Sequence, residues 1–317
     1  MIQSQSDKQI QLLLKISRAY YIDEQSQAQI GNNLGLSRPT VSRYLKLAKD
    51  NGIVEIKIHD PLSDVESLET QLKKKFNLKN VLISLDANTD EQKIINSLGI
   101  LAANYLNKIV SNDDTIGISW GKTIEAVSKN LIESQKQNIN VVHLKGSVSN
   151  SHLNNFSAEI TNRFNDAFHT QSRILPLPVI FDLASTKKIV EQDRFISEVI
   201  AEGKSANIAL FTVGTVRPTA LLFSLGYLDN DEIQNLESKA VGDIMSHFID
   251  SKCNIVNNSL DARTVAIDLD QLKKKKYSIL VAGGEAKVKP IYSALIGKCA
   301  NVLITDLQVA KKLLTME

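Results

Sequence analysis

Apolar residues recur at helical spacing over residues 8–22 (KQIQLLLKISRAYYI), at Ile10, Leu13, Leu14, Ile16, Ala19 and Tyr20. A second helix is predicted after Ser26, a capping residue, with Ala28, Ile30 and Leu34 on its buried face. Gly35 marks a short turn. A third helix follows at Arg38-Pro39, with Ser37 at the cap and Val41, Leu45 and Ala48 repeating along its buried side. Asn51-Gly52 ends it. The segment IVEIKIHDP (53–61) alternates apolar and polar residues and reads as a short strand, a β-wing. Residues 62–76 repeat Leu62, Val65, Leu68, Leu72 and Phe76 at roughly heptad spacing, which predicts a linker or pairing helix.

From about residue 79 the pattern becomes strands alternating with helices. Strands are predicted at 80–85, 115–119, 140–144, 207–214, 277–284 and 301–305, and an extended segment at 172–178. Helices are predicted at 90–110, 124–134, 153–168, 184–202 (one or two), 285–296 and 306–314. Such alternation implies an α/β fold with a mainly parallel, Rossmann-like sheet covered on both faces. The expected domains are a helix-turn-helix over 1–60, a linker helix over 61–78 and an α/β ligand-binding and oligomerisation domain over 79–317.

Charge sharpens this division. Residues 1–60 hold eight Lys or Arg against six Asp or Glu, whereas 61–317 hold 29 of each. Between Gln25 and Lys49 four basic residues stand with no acid. A locally basic helix-turn-helix on a neutral remainder is the footprint of a double-stranded DNA-binding module. Ser37, Arg38, Thr40, Ser42, Arg43 and Lys46 are its candidate DNA contacts, although a three-helix packing unit with a solvated basic face has the same pattern. One such module binds weakly, so a homo-oligomer, dimer or tetramer, is expected.

The polar start MIQSQSDKQIQ lacks the apolar core of a signal peptide, and no run approaches a membrane span. The two cysteines, Cys253 and Cys299, have no metal-ligand spacing, and the five histidines show none either. A cytoplasmic protein without metal or cofactor is expected. Neither GxxxxGK[ST] nor GxGxxG occurs, and no nucleophile elbow, kinase set or zinc signature is present.

In an open parallel sheet the residues just beyond each strand face the ligand crevice. Beyond 115–119 lies GISWGKT (117–123), where small residues open a helix whose free N–H groups suit a monophosphate. Ser119, Trp120, Gly121 and Thr123 are candidates here, and a plain strand-to-helix turn is the alternative. Lys145-Gly146 follows the next strand; Lys145 is either a rim cation or an ordinary exposed lysine. Gly283-Gly284 with Lys287 repeats the cradle logic. Gly214-Thr215 follows another strand, and Asp306 suits a helix cap. Asp243 and Asp250 can bind sugar hydroxyls, cap helices or pair with Arg263. The runs Lys73–Lys75 and Lys273–Lys276 read as solvated.

The opening SQAQIGNNLGLSRPTVSRYLKLAKDNGIVEIKI resembles the DNA-binding end of the SorC family of transcriptional regulators. TIGISWGKTI, AVGDIMSHFID, LDARTVAI, ILVAGGEAKVKPI and ANVLITDLQVAKKLL resemble that family's effector domain, in the family's order. VVHLKGSVSNS followed by RILPLPVIFD is most similar to its deoxyribonucleoside-regulator branch. The resemblance implies a repressor of deoxyribonucleoside or deoxyribose catabolism genes, not an enzyme. It also implies an effector domain related to sugar-phosphate isomerases and deaminases. Deoxyribose-5-phosphate is then the expected effector that weakens operator binding. Its open form is an aldehyde, to which a neutral Lys145 amine can add as a Schiff base while the phosphate rests at Ser119–Thr123. Burial, or a cation such as Lys287, would have to lower the lysine's pKa. A charge-assisted hydrogen bond from protonated Lys145, another phosphosugar, an activator and a sugar-phosphate enzyme are the alternatives.

Overall fold

The computed structural model describes residues 2–56, 61–85, 90–148, 156–218 and 220–317. The chain divides into two compact units, Met1–Asp60 and Pro61–Glu317.

The first unit contains α1 (Ile2–Tyr21), α2 (Gln27–Leu34) and α3 (Arg38–Asp50). Ser26 and Gln29 cap α2 reciprocally: the Gln29 N–H donates to Ser26 Oγ, and the Ser26 N–H donates to Gln29 Oε1. Gly35 ends α2 in the left-handed region (φ 64°), where glycine carries no Cβ penalty. Ser37 caps α3 by accepting from the Thr40 N–H, and Pro39 sits in the first turn. Leu13, Ile16, Ile30, Val41, Leu45 and Ala48 are buried where α3 packs on α1 and α2. The strand expected from Ile53 is not seen in residues 53–56, and 57–61 gives no test, since 57–60 lie outside the described residues and Pro61 opens a helix. No strand is described in this unit to pair with it, and an unpaired extended segment has no ladder.

The second unit opens with α4 (Pro61–Phe76), β1 (Asn80–Ser84), α5 (Glu91–Ile109), β2 (Thr115–Ile118), α6 (Lys122–Lys129) and β3 (Asn140–His143). Next come α7 (Ser157–Phe168), α8 (Ala184–Val190), α9 (Arg194–Ser205), β4 (Ile208–Phe211), β5 (Val213–Gly214), α10 (Leu221–Ser224) and α11 (Asn230–Lys239). The remainder is β6 (Gly242–Ile244), β7 (His247–Ile249), α12 (Asn258–Arg263), α13 (Leu269–Lys273), β8 (Tyr277–Val281), α14 (Val288–Ile296), β9 (Val302–Asp306) and α15 (Leu307–Thr315). Six strands form a wholly parallel sheet in the order β1-β9-β8-β4-β2-β3. The period-two alternation of its strands builds two cores. Ile116, Ile118, Leu210, Ile279, Val281, Val302 and Ile304 face one, with Leu98, Leu106, Ile124 and Phe164 from the helices. Ala209, Phe211, Leu280 and Leu303 face the other, with Leu72 of α4, Ile291 of α14 and Leu313 of α15. The helix expected at 62–76 is thus anchored in the larger unit, packing on β1 and α15.

Three expectations change. The run 207–214 is two strands, split at Thr212: β4 belongs to the parallel sheet, and β5 begins a three-stranded antiparallel sheet, β5-β6-β7. The helix expected over 124–134 ends at Lys129. Its Asn130 side chain folds back to donate to Ala126 O and closes the last turn. Lys275, in a run read as solvated, is buried, and its Nζ donates to the carbonyls of Gly203 and Lys204 near the end of α9.

Candidate functional site

The strand order reverses at β2: β3 lies on one side of it and β4 on the other. In a doubly wound sheet the crevice for a ligand opens at such a point, beyond the strand C-termini. Four segments converge there, following β2, β3, β4 and β8.

Beyond β2, Ser119 is buried and its hydroxyl has no hydrogen-bond partner. Helix α6 starts at Gly121 (φ 124°) without a side-chain cap. Thr123 is buried in its first turn. Beyond β8, the Lys287 ammonium reaches both Thr123 Oγ1 and Thr212 Oγ1 at 3.5 Å. Burial holds its pKa below the usual lysine value, against the opposing pull of Glu91 and Asp243. A cavity of about 480 Å3 opens beside it, with Glu91, Arg217, Gly284 and Lys287 in its walls.

Beyond β3, Lys145 is 6% exposed, so it is not an ordinary surface lysine. Its Nζ lies 3.6 Å from the centre of the Trp120 ring and donates to Ser246 Oγ at 3.4 Å. An antiparallel backbone bridge to Ala266 holds the residue in place. Burial lowers its pKa to about 8, while Asp243 pulls the other way. Lys287 is not what lowers it; desolvation is. Asp243 is itself buried, which raises its carboxyl, and Lys145 and the Ser246 amide oppose that rise. The Ser246 N–H donates to Asp243 Oδ2 at 2.9 Å, so the serine joins the two charged groups.

Trp120, Gly146 and Gly284 differ from simple ligand donors. The Trp120 Nε1–H donates to Gly146 O at 2.7 Å, leaving the ring face to Lys145. The Gly146 N–H donates to Val265 O. The Gly284 N–H donates to Asp306 Oδ2 at 2.7 Å, so that amide is not free for an anion. Asp306 also caps α15, accepting from the Gln308 and Val309 amides through Oδ1. Gly283 serves a close approach, since a Cβ there would lie 2.5 Å from Asp306 Oδ2 and 2.8 Å from Leu98 Cδ1, whereas Gly284 has open space around it and serves its positive φ of 87°. Gly283→Ala is therefore expected to cost about 1–3 kcal/mol, read as a lower unfolding midpoint in urea. Asp250 holds the 250–254 turn by accepting from the Lys252 and Asn254 amides, and Arg263 pairs with Glu232 through two contacts of 2.6 and 2.7 Å. Neither joins the crevice chemistry.

Thr212, Arg217 and Ser246 join the crevice without a motif in the sequence that marks them. Thr212 falls inside the strand that the pattern predicts over 207–214. Ser246 sits in a two-residue hairpin, Met245–Ser246, whose positive φ values (53° and 71°) come without the glycine or asparagine that announces such turns.

In the smaller unit Arg38, Ser42, Arg43 and Lys46 are exposed on α3. Ser37 and Thr40 are engaged with each other, their hydroxyls 2.8 Å apart at the cap.

Residues 60–315 match the Sugar-bind family of sugar-binding domains. The deoxyribonucleoside regulator of Bacillus subtilis is 45% identical over 303 residues, covering 96% of this chain and 97% of that one. The full-length sorbitol operon regulator SorC from Klebsiella pneumoniae superposes with a TM-score of 0.74 at 28% identity, covering 96% of this chain and 99% of that one. The chain belongs to the SorC family of transcriptional regulators. A transcriptional regulator from Streptococcus pneumoniae matches 80% of this chain and 98% of its own, with a TM-score of 0.75 at 25% identity. The SorC sugar-binding domain thus accounts for the whole α/β unit, and DNA and a sugar effector are the partners that such a regulator implies. Among the described residues no helix is long and apolar enough to cross a membrane.

Proposed function

We propose that the chain is a cytoplasmic, homo-oligomeric repressor of deoxyribonucleoside catabolism genes, released from its operator by deoxyribose-5-phosphate. The observation that carries this reading is the enclosed Lys145 with its pKa near 8. About a tenth of such an amine is neutral at pH 7, against well under a thousandth for an ordinary lysine. The neutral Nζ adds to the C1 aldehyde of the open sugar. Loss of water from the resulting carbinolamine leaves the imine, and Asp243, raised by burial and linked through Ser246, gives and takes the proton that this requires. The phosphate is assigned to the unpartnered Ser119 hydroxyl, Thr123, the uncapped start of α6 and Lys287. The 45% identity with a protein named a deoxyribonucleoside regulator supports this sugar. The sorbitol operon regulator, 29% identical over 314 residues, favours other phosphosugars as the second reading.

In the smaller unit α2 and α3 act as a helix-turn-helix, with Arg38, Ser42, Arg43 and Lys46 toward DNA and Ser37 and Thr40 shaping the helix entry. Arg43→Ala is expected to weaken operator binding about tenfold and to reduce the slope of log affinity against log salt by about one.

The test is operator binding by fluorescence anisotropy, with and without deoxyribose-5-phosphate. A coupling of about 1–3 kcal/mol gives a fall in affinity of roughly 5- to 150-fold. Release by a different phosphosugar alone would select the second reading. Turnover of the sugar phosphate would contradict both and favour an enzyme.

A further inference from the structure

The chain has two cysteines, 46 residues apart in sequence, and the fold brings them together outside the effector crevice. Their sulfurs are 3.7 Å apart, and both are free thiols. Cys253 sits in the tight turn that follows β7, at φ 64°, with its N–H donating to Asp250 O. Cys299 is fully buried between α14 and β9. The turn is pressed against the end of α14: a Cβ on Gly297 would lie 2.3 Å from Cys253 Sγ, and Ser293 Oγ donates to Asp250 O at 2.7 Å. Only with glycine at 297 can the Cys253 sulfur reach its partner.

We propose that Cys253 and Cys299 form a peroxide-sensitive disulfide site that ties the β6–β7 hairpin to α14. The two thiols differ in the way such chemistry needs. Cys253 is half-buried, and its hydrogen-bonding contact with the Cys299 sulfur favours the Cys253 thiolate and holds its pKa down. Cys299 is pushed up by that neighbour and by burial, so it stays protonated. Cys253 is the attacking thiolate, and Cys299 is the resolving thiol. The Cys253 sulfur attacks one oxygen of hydrogen peroxide; the O–O bond breaks, and after protonation a sulfenic acid and one water result. The Cys299 sulfur then attacks the sulfenic sulfur, loses its proton and expels a second water. Two thiols and one peroxide become one disulfide and two waters, the sulfurs giving up two electrons. The linkage matters for the crevice because the hairpin carries Asp243 and Ser246, while α14 begins beside Lys287. Pro290 of α14 already packs beneath Gly242. A covalent tie fixes these two walls together.

The experiment is hydrogen peroxide treatment of the native full-length chain, followed by alkylation, intact mass and peptide mapping. The expected result is a mass loss of about 2 Da, both thiols disappearing together, a Cys253–Cys299 linked peptide, and reversal by dithiothreitol. The oxidised chain is also expected to unfold at a higher temperature. In Cys299→Ser, Cys253 is expected to be captured as a sulfenic acid by dimedone, with no linked peptide. Thiols that stay alkylatable, or that oxidise independently, would overturn the proposal. None of these readouts depends on the identity of the effector.

Discussion

Lys145→Met is expected to leave operator binding intact and to abolish release by deoxyribose-5-phosphate. Methionine retains an unbranched chain of similar length, so the packing against Trp120 is largely kept, while the nucleophile is lost. The variant should yield no borohydride-trapped adduct. Removing the ammonium also leaves Asp243 buried without the charge that opposes its raised pKa, so that carboxyl should take up a proton rather than remain an unpaired anion. Far-ultraviolet circular dichroism and operator affinity serve as the folding controls. If Lys145→Met were still released at the same effector concentration, the covalent step would have no part in induction.

The second large effect is on pH. The Lys145 pKa is lowered, to about 8, so the reactive neutral amine grows as pH rises toward that value and then saturates. About 1% is neutral at pH 6 and about half at pH 8, so the initial rate of imine formation should rise about fifty-fold over that interval and flatten above it. An unperturbed lysine would instead gain about tenfold per unit through pH 9. Stopped-flow trapping at a fixed sugar concentration separates the two curves. Continued tenfold rise above pH 8.5 would show that burial does not tune this amine.

Much of the architecture was legible because the signals were local. Caps at Ser26 and Ser37, the glycine at 35 and the proline at 39 mark the first three helices, and each acts in the structure as its chemistry dictates. Strand alternation at 116–118, 208–211, 279–281 and 302–304 gave a two-faced sheet because successive residues point to opposite cores. The losses came where tertiary partners decide. Thr212 separates two sheets, which nothing in NIALFTVG announces. Lys275 is buried because the end of α9 offers two carbonyls, a fact of packing rather than of composition. At the crevice, the positions following β2, β3 and β8 were readable from the rule that ligands lie beyond strand ends. Ser246 was not, because its contribution depends on a hairpin that returns over 100 residues later to meet Lys145. Gly284 carries a misleading signal: it has the glycine of an anion loop, but Asp306 takes its amide.

The central claim is a reversible imine at Lys145, and intact mass after incubation with deoxyribose-5-phosphate and borohydride tests it most directly. The account expects one adduct per chain, of the mass of the sugar phosphate plus two hydrogens less one water, mapped to the peptide containing Lys145. A sample that binds its operator and is released by the sugar, yet shows no adduct or carries it on another lysine, would contradict the account.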